Sequence, residues 1–204
     1  MELAWVWWIP ALPVAAAVLL GLLGRRADRA AGWIMAAAPA GSLALALRVL
    51  GRVLARPEPV SAGWTWLQAS GGLVLEVGHL VDPLAATMLV VVAGVALAVQ
   101  IYSLGYMAGD PGVTRYFALL GLFAFAMLGL VLANNLVLLY MFWELVGLSS
   151  YLLIGFWYRR PAAADAGKKA FIVTRFGDLG FLIGILLVGF TLHTFAITDL
   201  NGLA

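Results

Sequence analysis

The chain has 204 residues, 64% of them hydrophobic and 11% charged, with a formal net charge of +2. A soluble domain is about half apolar and a quarter charged, so this composition places the chain in a bilayer and argues against a nucleic-acid partner. The lack of cysteine excludes disulfides, thiolate metal sites and iron–sulfur ligation by this chain.

A spanning helix needs about 20 mostly apolar residues, and six segments meet that length. The first runs roughly from Trp5 to Gly24, with Glu2 before it and Arg25, Arg26 and Arg29 after it. A secretory signal carries its positive charge on the other side, so this segment is expected to be a retained helix with its N-terminus outside. The second runs from Ala31 to Leu54, and Pro39 within it predicts a kink. The longest link follows, from Arg56 to Asp82. In it Trp64-Thr65-Trp66-Leu67 and Leu73-Val74-Leu75-Glu76-Val77 alternate in period two around Gly71-Gly72. That pattern predicts a β-hairpin outside the hydrocarbon, with a plain extramembrane loop as the alternative. His79 is placed in a loop, and Asp82-Pro83 resembles a helix start with proline at its first position.

The third segment runs from Pro83 to Tyr106, the fourth from Arg115 to Ala133, the fifth from Leu136 to Trp157 and the sixth from Lys169 to Phe190. Only Asn134 and Asn135 separate the fourth from the fifth, which makes those two antiparallel neighbours. Beyond the sixth, Thr198-Asp199-Leu200 could cap a further helix. The expected fold is all-α: a polytopic transmembrane bundle of about six helices, with a small β-hairpin between the second and third. Residues 1–82 make one unit, and residues 83–204 begin another.

Lys and Arg counts beside helix ends set orientation. One side holds Arg25, Arg26, Arg29, Arg115, Arg159, Arg160, Lys168 and Lys169; the other holds Arg52 and Arg56, with Arg48 nearby. The first side is therefore expected to face inward and the hairpin outward. Trp5, Trp7, Trp8, Trp157 and Tyr158 fall at predicted interfaces, as aromatic belts do.

Two carboxylates lie away from the interfaces. Glu144 is near the middle of the fifth segment, and Asp178 is about a third of the way along the sixth, three residues after Arg175. A charge at mid-membrane costs roughly 2.5–3.5 kcal/mol on insertion scales, so such groups face a bundle interior or a wet cavity and pair there. Tyr140, Glu144, Gly147 and Tyr151 share one helical stripe, in which glycine permits close approach and tyrosine offers hydroxyls. Burial and a cationic partner act on a glutamate in opposite senses, and one balanced between them exchanges protons near neutral pH. The bland alternative is a hydrogen-bonded knot that only packs helices. Arg175 and Asp178 form an i,i+3 pair with Lys168 on the same stripe, either a local neutralising salt bridge or part of a proton route. His193 ends the sixth segment, where an imidazole is usually just interfacial but can relay protons. Gly177, Gly180 and Gly184 predict a small-residue packing face. There is no P-loop, dinucleotide fingerprint, paired-histidine metal motif or nucleophile elbow.

The run from Tyr140 through Trp143-Glu144 to Gly155 closely resembles the fifth helix of the L subunit of proton-pumping NADH-quinone oxidoreductase, respiratory complex I. Lys169-Ala170-Phe171-Ile172-Val173-Thr174-Arg175-Phe176-Gly177-Asp178 resembles its sixth. Val81-Asp82-Pro83-Leu84 and Tyr102-Ser103-Leu104-Gly105-Tyr106-Met107 resemble its third-helix region. Leu145 and Ser149 stand where many relatives have Gly and Cys. The resemblance implies an antiporter-like subunit that translocates protons coupled to electron transfer from NADH to quinone. It implies no flavin, cluster or nicotinamide bound by this chain, and other membrane subunits of the complex as partners in a bacterial inner membrane. It casts Glu144, Asp178, Arg175, Lys168, Lys169 and His193 as proton-translocation residues, with the counterpart of Glu144 paired to a lysine on a broken seventh helix. The family continues for many more helices, so residues 83–204 are expected to be the truncated start of its proton-translocating domain, and the chain an N-terminal fragment that does not pump by itself. The large subunit of a multisubunit sodium/proton antiporter is the nearest alternative; the Val173–Asp178 stretch favours the respiratory subunit. A hydrogenase-linked membrane subunit is a third relative, and a non-transporting scaffold bundle is the reading of a different class.

Overall fold

The structure, a computed structural model, describes residues 4–68 and 74–202. A 3₁₀ turn at Ala4–Trp7 leads into α1 (Trp8–Leu23), followed by α2 (Ala31–Ala55), strands β1 (Val60–Gln68) and β2 (Val74–Val81), then α3 (Pro83–Tyr106), α4 (Val113–Leu132), α5 (Leu136–Ile154), α6 (Pro161–Leu192) and a short α7 (Ile197–Gly202). Among the described residues six helices are long and apolar enough to cross a membrane. The all-α bundle and the small hairpin between the second and third spans are as expected.

Local chemistry sets the helix ends. Asp82 accepts a hydrogen bond from Ala85 N at 2.7 Å, and Pro83 takes the first helical position, where its missing N–H costs nothing. Asn135 caps α5 by accepting from Leu138 N at 2.9 Å. α2 continues as helix through Pro39. β1 and β2 pair antiparallel from Val60↔Val81 to Gln68↔Val74, with a register shift between Thr65 and Leu67. The Gly71-Gly72 turn lies outside the described residues.

α1, α2, α3 and α4 pack together, α5 lies on α4, and α6 packs mainly on α5. In lipid the gain comes from close van der Waals fit rather than from expelling water. One buried cluster joins Val6, Ile9, Val49, Val81, Leu89 and Leu132 near the hairpin, and another joins Leu20, Ala31, Met35 and Phe117 toward the opposite end. At Gly129 an added Cβ would strike the Phe142 ring, so this glycine sets how closely α4 and α5 approach.

Three expectations change. α6 begins at Pro161, eight residues before the predicted start, because a proline at the first position and the alanine-rich run after it extend the helix beyond its apolar part. Residues 161–168 are therefore helix, not loop. α5 stops at Ile154, short of Trp157, with Gly155 as its C-cap. His79 is on β2 and 2% exposed, edge-on to Trp7 at 6.3 Å between ring centroids, rather than in a loop.

The Asn134-Asn135 link does more than turn the chain. It is held between β2 and the segment after α6, through bridges His79↔Ala133 and Asn135↔Ala196. Leu136 N donates to Phe195 O, and Ile197 N to Asn134 O, each at 3.0 Å.

Candidate functional site

α5 and α6 run antiparallel, and their contacts descend in register. Tyr151 lies on Phe171 with ring centroids 5.2 Å apart, Glu144 pairs with Arg175, Trp143 reaches Asp178, and Tyr140 lies 5.8 Å from Phe181. The predicted stripe of Tyr140, Glu144, Gly147 and Tyr151 is thus the face that α5 turns toward α6.

Glu144 is the ninth of the nineteen residues of α5, well away from either end. Its carboxylate forms an ion pair with the guanidinium of Arg175. Asp178 lies on the other side of that guanidinium, its Oδ2 3.5 Å from Nη2. The earlier start of α6 makes Asp178 the eighteenth of 32 residues, just past the middle rather than a third of the way along. It is also the more enclosed carboxylate, with a side chain 10% exposed against 26% for Glu144.

Arg175 is held by Glu144, Asp178 and the ring of Phe171. Its guanidinium stacks over the Phe171 ring at 4.7 Å. Gly147 leaves the space it fills, since a Cβ there would collide with Nη2. Its Nε and Nη2 are buried without a hydrogen-bond partner among the described residues. Asp178 therefore attracts Arg175 without being bonded to it, and takes a hydrogen bond instead from Trp143 Nε1 at 2.8 Å. Two carboxylates around one guanidinium leave a formal excess of one negative charge, which a single proton neutralises. A cavity of about 700 Å³ borders the cluster, lined among others by Trp143, Gly147, Ser150, Thr174 and Asp178.

The other sequence-predicted residues lie apart. Lys168 sits 3.6 Å from Asp165 in an exposed i,i+3 pair, so it does not join Arg175 and Asp178 although it falls on their stripe. Lys169 follows it near the start of α6. His193 caps the far end of α6 in a left-handed conformation with φ of 55° and is exposed. From Asp178 these groups stand roughly 15 Å and 22 Å away along the helix axis, at 1.5 Å per residue. Gly177, Gly180 and Gly184 do not form a packing face among the described residues: an added Cβ at any of them meets nothing within 4 Å.

Sequence reasoning did not single out Trp143 and Phe171 as parts of the site. Both are apolar at helical spacing, which is also how lipid-facing positions look, and only the α5–α6 register assigns them to Asp178 and Arg175.

Residues 66–117 match the family model described as NADH-Ubiquinone oxidoreductase (complex I), chain 5 N-terminus, and residues 133–203 match the one described as NADH:quinone oxidoreductase/Mrp antiporter, TM. Glu144, Arg175 and Asp178 all fall in the second match. The chain is 48% identical over 192 residues to NAD(P)H-quinone oxidoreductase chain 5 of Synechocystis sp., covering 91% of this chain and 28% of that protein. It is 45% identical over 188 residues to the chloroplastic NAD(P)H-quinone oxidoreductase subunit 5 of Mesostigma viride, covering 89% and 29%. It thus spans less than a third of the length of these curated relatives. Among solved structures it superimposes on a chain of the Mrp complex from Dietzia sp. with a TM-score of 0.78 at 32% identity, over 93% of this chain and 20% of that one. These matches agree with the fold and with the site-bearing helices, and the chain belongs to the antiporter-like family of complex I chain 5.

Proposed function

We propose that this chain serves in a proton-translocating membrane subunit of an NADH-quinone oxidoreductase, without itself handling electrons. The observation that carries the reading is the cluster of Glu144, Arg175 and Asp178 at the middle of two spanning helices. A scaffold bundle has no use for an intramembrane excess of negative charge, whereas a proton carrier requires it. Arg175 is the switching element. While it pairs with Glu144, Asp178 is held by Trp143; when it swings toward Asp178, Glu144 is freed to accept a proton, and the return of Arg175 expels that proton. Lys168 and Lys169 toward one end of α6, and His193 at the other, mark the two mouths of the route.

The partners are the other membrane subunits of the complex and the bilayer, and this chain holds no cofactor of its own. Eight of the twelve Lys and Arg residues lie at the end where α1 meets α2, α3 meets α4 and α5 meets α6. That bias supports a topology with this end in the cytoplasm and the N-terminus and hairpin outside, in what we infer is a bacterial inner membrane. A second reading, the large subunit of a sodium/proton antiporter, draws support from the likeness to the Mrp complex chain. The higher identity to the quinone oxidoreductase subunits supports the first.

The test is Glu144→Gln in the full-length subunit of the assembled complex, with protons pumped per NADH oxidised measured in sealed vesicles. A carboxamide cannot carry the proton, so the ratio is expected to fall about twofold or more with the complex intact. A wild-type ratio removes Glu144 from the route. Pumping that requires sodium favours the antiporter reading.

A further inference from the structure

We propose that the cleft where the α3–α4 and α5–α6 links meet binds the phosphodiester headgroup of an anionic phospholipid, whose acyl chain lies along the adjoining groove between α4 and α5. The inference is independent of the proton route. It needs that the chain spans a bilayer, which its six long apolar helices support, and it rests on the proposed orientation for the side the cleft faces.

The cleft has a volume of about 470 Å³, and Arg25, Arg115, Arg159 and Arg160 converge on it from three separate stretches of chain. Asp110 is the one carboxylate in its lining, and both its oxygens are already engaged. Oδ1 accepts from Gly112 N at 2.7 Å and Oδ2 from Trp157 Nε1 at 3.1 Å. Among the described residues none of the four arginines takes part in an ion pair, so the cleft sets four guanidiniums against the single carboxylate of Asp110, a formal excess of three positive charges.

Two of the guanidiniums are preset rather than free to wander. Arg115 donates to Phe156 O at 2.6 Å and stacks over Phe156 at 4.6 Å and Tyr158 at 5.0 Å. Arg160 stacks over Trp157 at 5.2 Å. Planar guanidiniums pre-oriented in this way suit phosphate oxygens, which accept paired N–H donors. The local potential is felt by Tyr158, whose phenol is held below its ordinary range by hydrogen bonding from Arg159 and Arg115.

The apolar half of the ligand is matched as well. A groove of about 380 Å³ shares Arg115, Phe156 and Tyr158 with the cleft and continues along Leu119, Tyr151 and Leu152, with Ala164 and Lys168 of α6 on its other edge. Charge at a helix end joined to an apolar groove fits a molecule with an anionic head and a hydrocarbon tail, and basic pockets between helices on the cytoplasmic side are lipid-headgroup sites. A free phosphate would use the cleft and leave the groove unused.

The test titrates the purified 204-residue chain in detergent with phosphatidylglycerol or phosphatidylcholine and counts bound lipid by native mass spectrometry. Phosphatidylglycerol is expected to be retained in preference to phosphatidylcholine. Each arginine near the headgroup contributes about fivefold, so Arg25→Ala should weaken retention by about that factor and the double variant Arg159→Ala/Arg160→Ala by more, with helix content unchanged by circular dichroism. Arg48→Ala/Arg52→Ala, at the opposite end, should have no effect. Equal retention of the two lipids, or unchanged retention in both the Arg25 and the Arg159/Arg160 variants, overturns the proposal. Displacement of phosphatidylglycerol by inorganic phosphate alone also overturns it, by making the occupant a free anion.

Discussion

Arg175 forms ion pairs with two carboxylates, and only Asp178 has a second partner, the Trp143 indole; that asymmetry ranks the residues of the site. Asp178→Asn removes one of the two carboxylates paired with Arg175, while its remaining carbonyl oxygen still accepts from Trp143. Coupled activity should therefore fall less in Asp178→Asn than in Glu144→Gln, measured side by side as protons per NADH. An equal or larger loss would make Asp178 the main carrier. Gly147→Ala tests the guanidinium from the opposite direction. Its Cβ lands on the far end of a flexible side chain, not on backbone. Thermal stability should change by no more than about 1 kcal/mol, while pumping drops because Arg175 is pushed off Glu144. Normal pumping with a large stability loss would show that the glycine serves packing alone.

Among the elements, α5 is fixed at its start by one side chain with three tasks. Asn135 accepts from Leu138 N, and its amide donates to Glu76 O at 2.7 Å and to Asn134 Oδ1 at 2.8 Å. Loss of an N-cap costs about 1 kcal/mol, and buried partners left unpaired add to that. Asn135→Ala should therefore destabilise the chain by about 2 kcal/mol, read from denaturant unfolding in detergent, and Asn135→Asp should recover only the cap. Full recovery by Asp would show that the link to the hairpin contributes nothing. The length of α6 matters in another way. Its added first two turns hold Asp165 and Lys168 as an exposed pair and make Asp178 a mid-helix residue. The eight-residue extension was not legible from hydropathy, because Asp165, Lys168 and Lys169 break the apolar run that marks a span while leaving the helix itself intact.

Across the whole molecule, the hairpin is stitched to the helices through a histidine. His79 of β2 lies against Trp7 and beside the α4–α5 link, and neither ring nitrogen has a hydrogen-bond partner among the described residues. Burial lowers its pKa from 6.5. The unfolded chain thus binds a proton more readily than the folded one, so stability rises with pH between the lowered folded value and 6.5. That stability is fully present above 6.5 and is lost as pH falls through the folded value. Melting temperature should drop on acidification across that window, and His79→Phe should flatten the drop; an unchanged pH profile in His79→Phe would assign the acid sensitivity elsewhere.

The amino-acid sequence by itself determined six spans, the bias of basic residues to one end and the two carboxylates away from the interfaces, and it offered paired strands with a plain loop as the alternative. Each follows from a local property: apolar run length, charge beside helix ends, period-two alternation, and the cost of a charge in hydrocarbon. Only the tertiary structure decided which groups meet. Trp143 and Asp178 are 35 residues apart in sequence, and nothing local distinguishes an indole that bonds a carboxylate from one that faces lipid. The same holds for Lys168, which has the right spacing to join Arg175 yet pairs with Asp165 in the exposed first turns of α6. Helical periodicity assigns a residue to a face, but the depth and register at which two helices pack settle its partner.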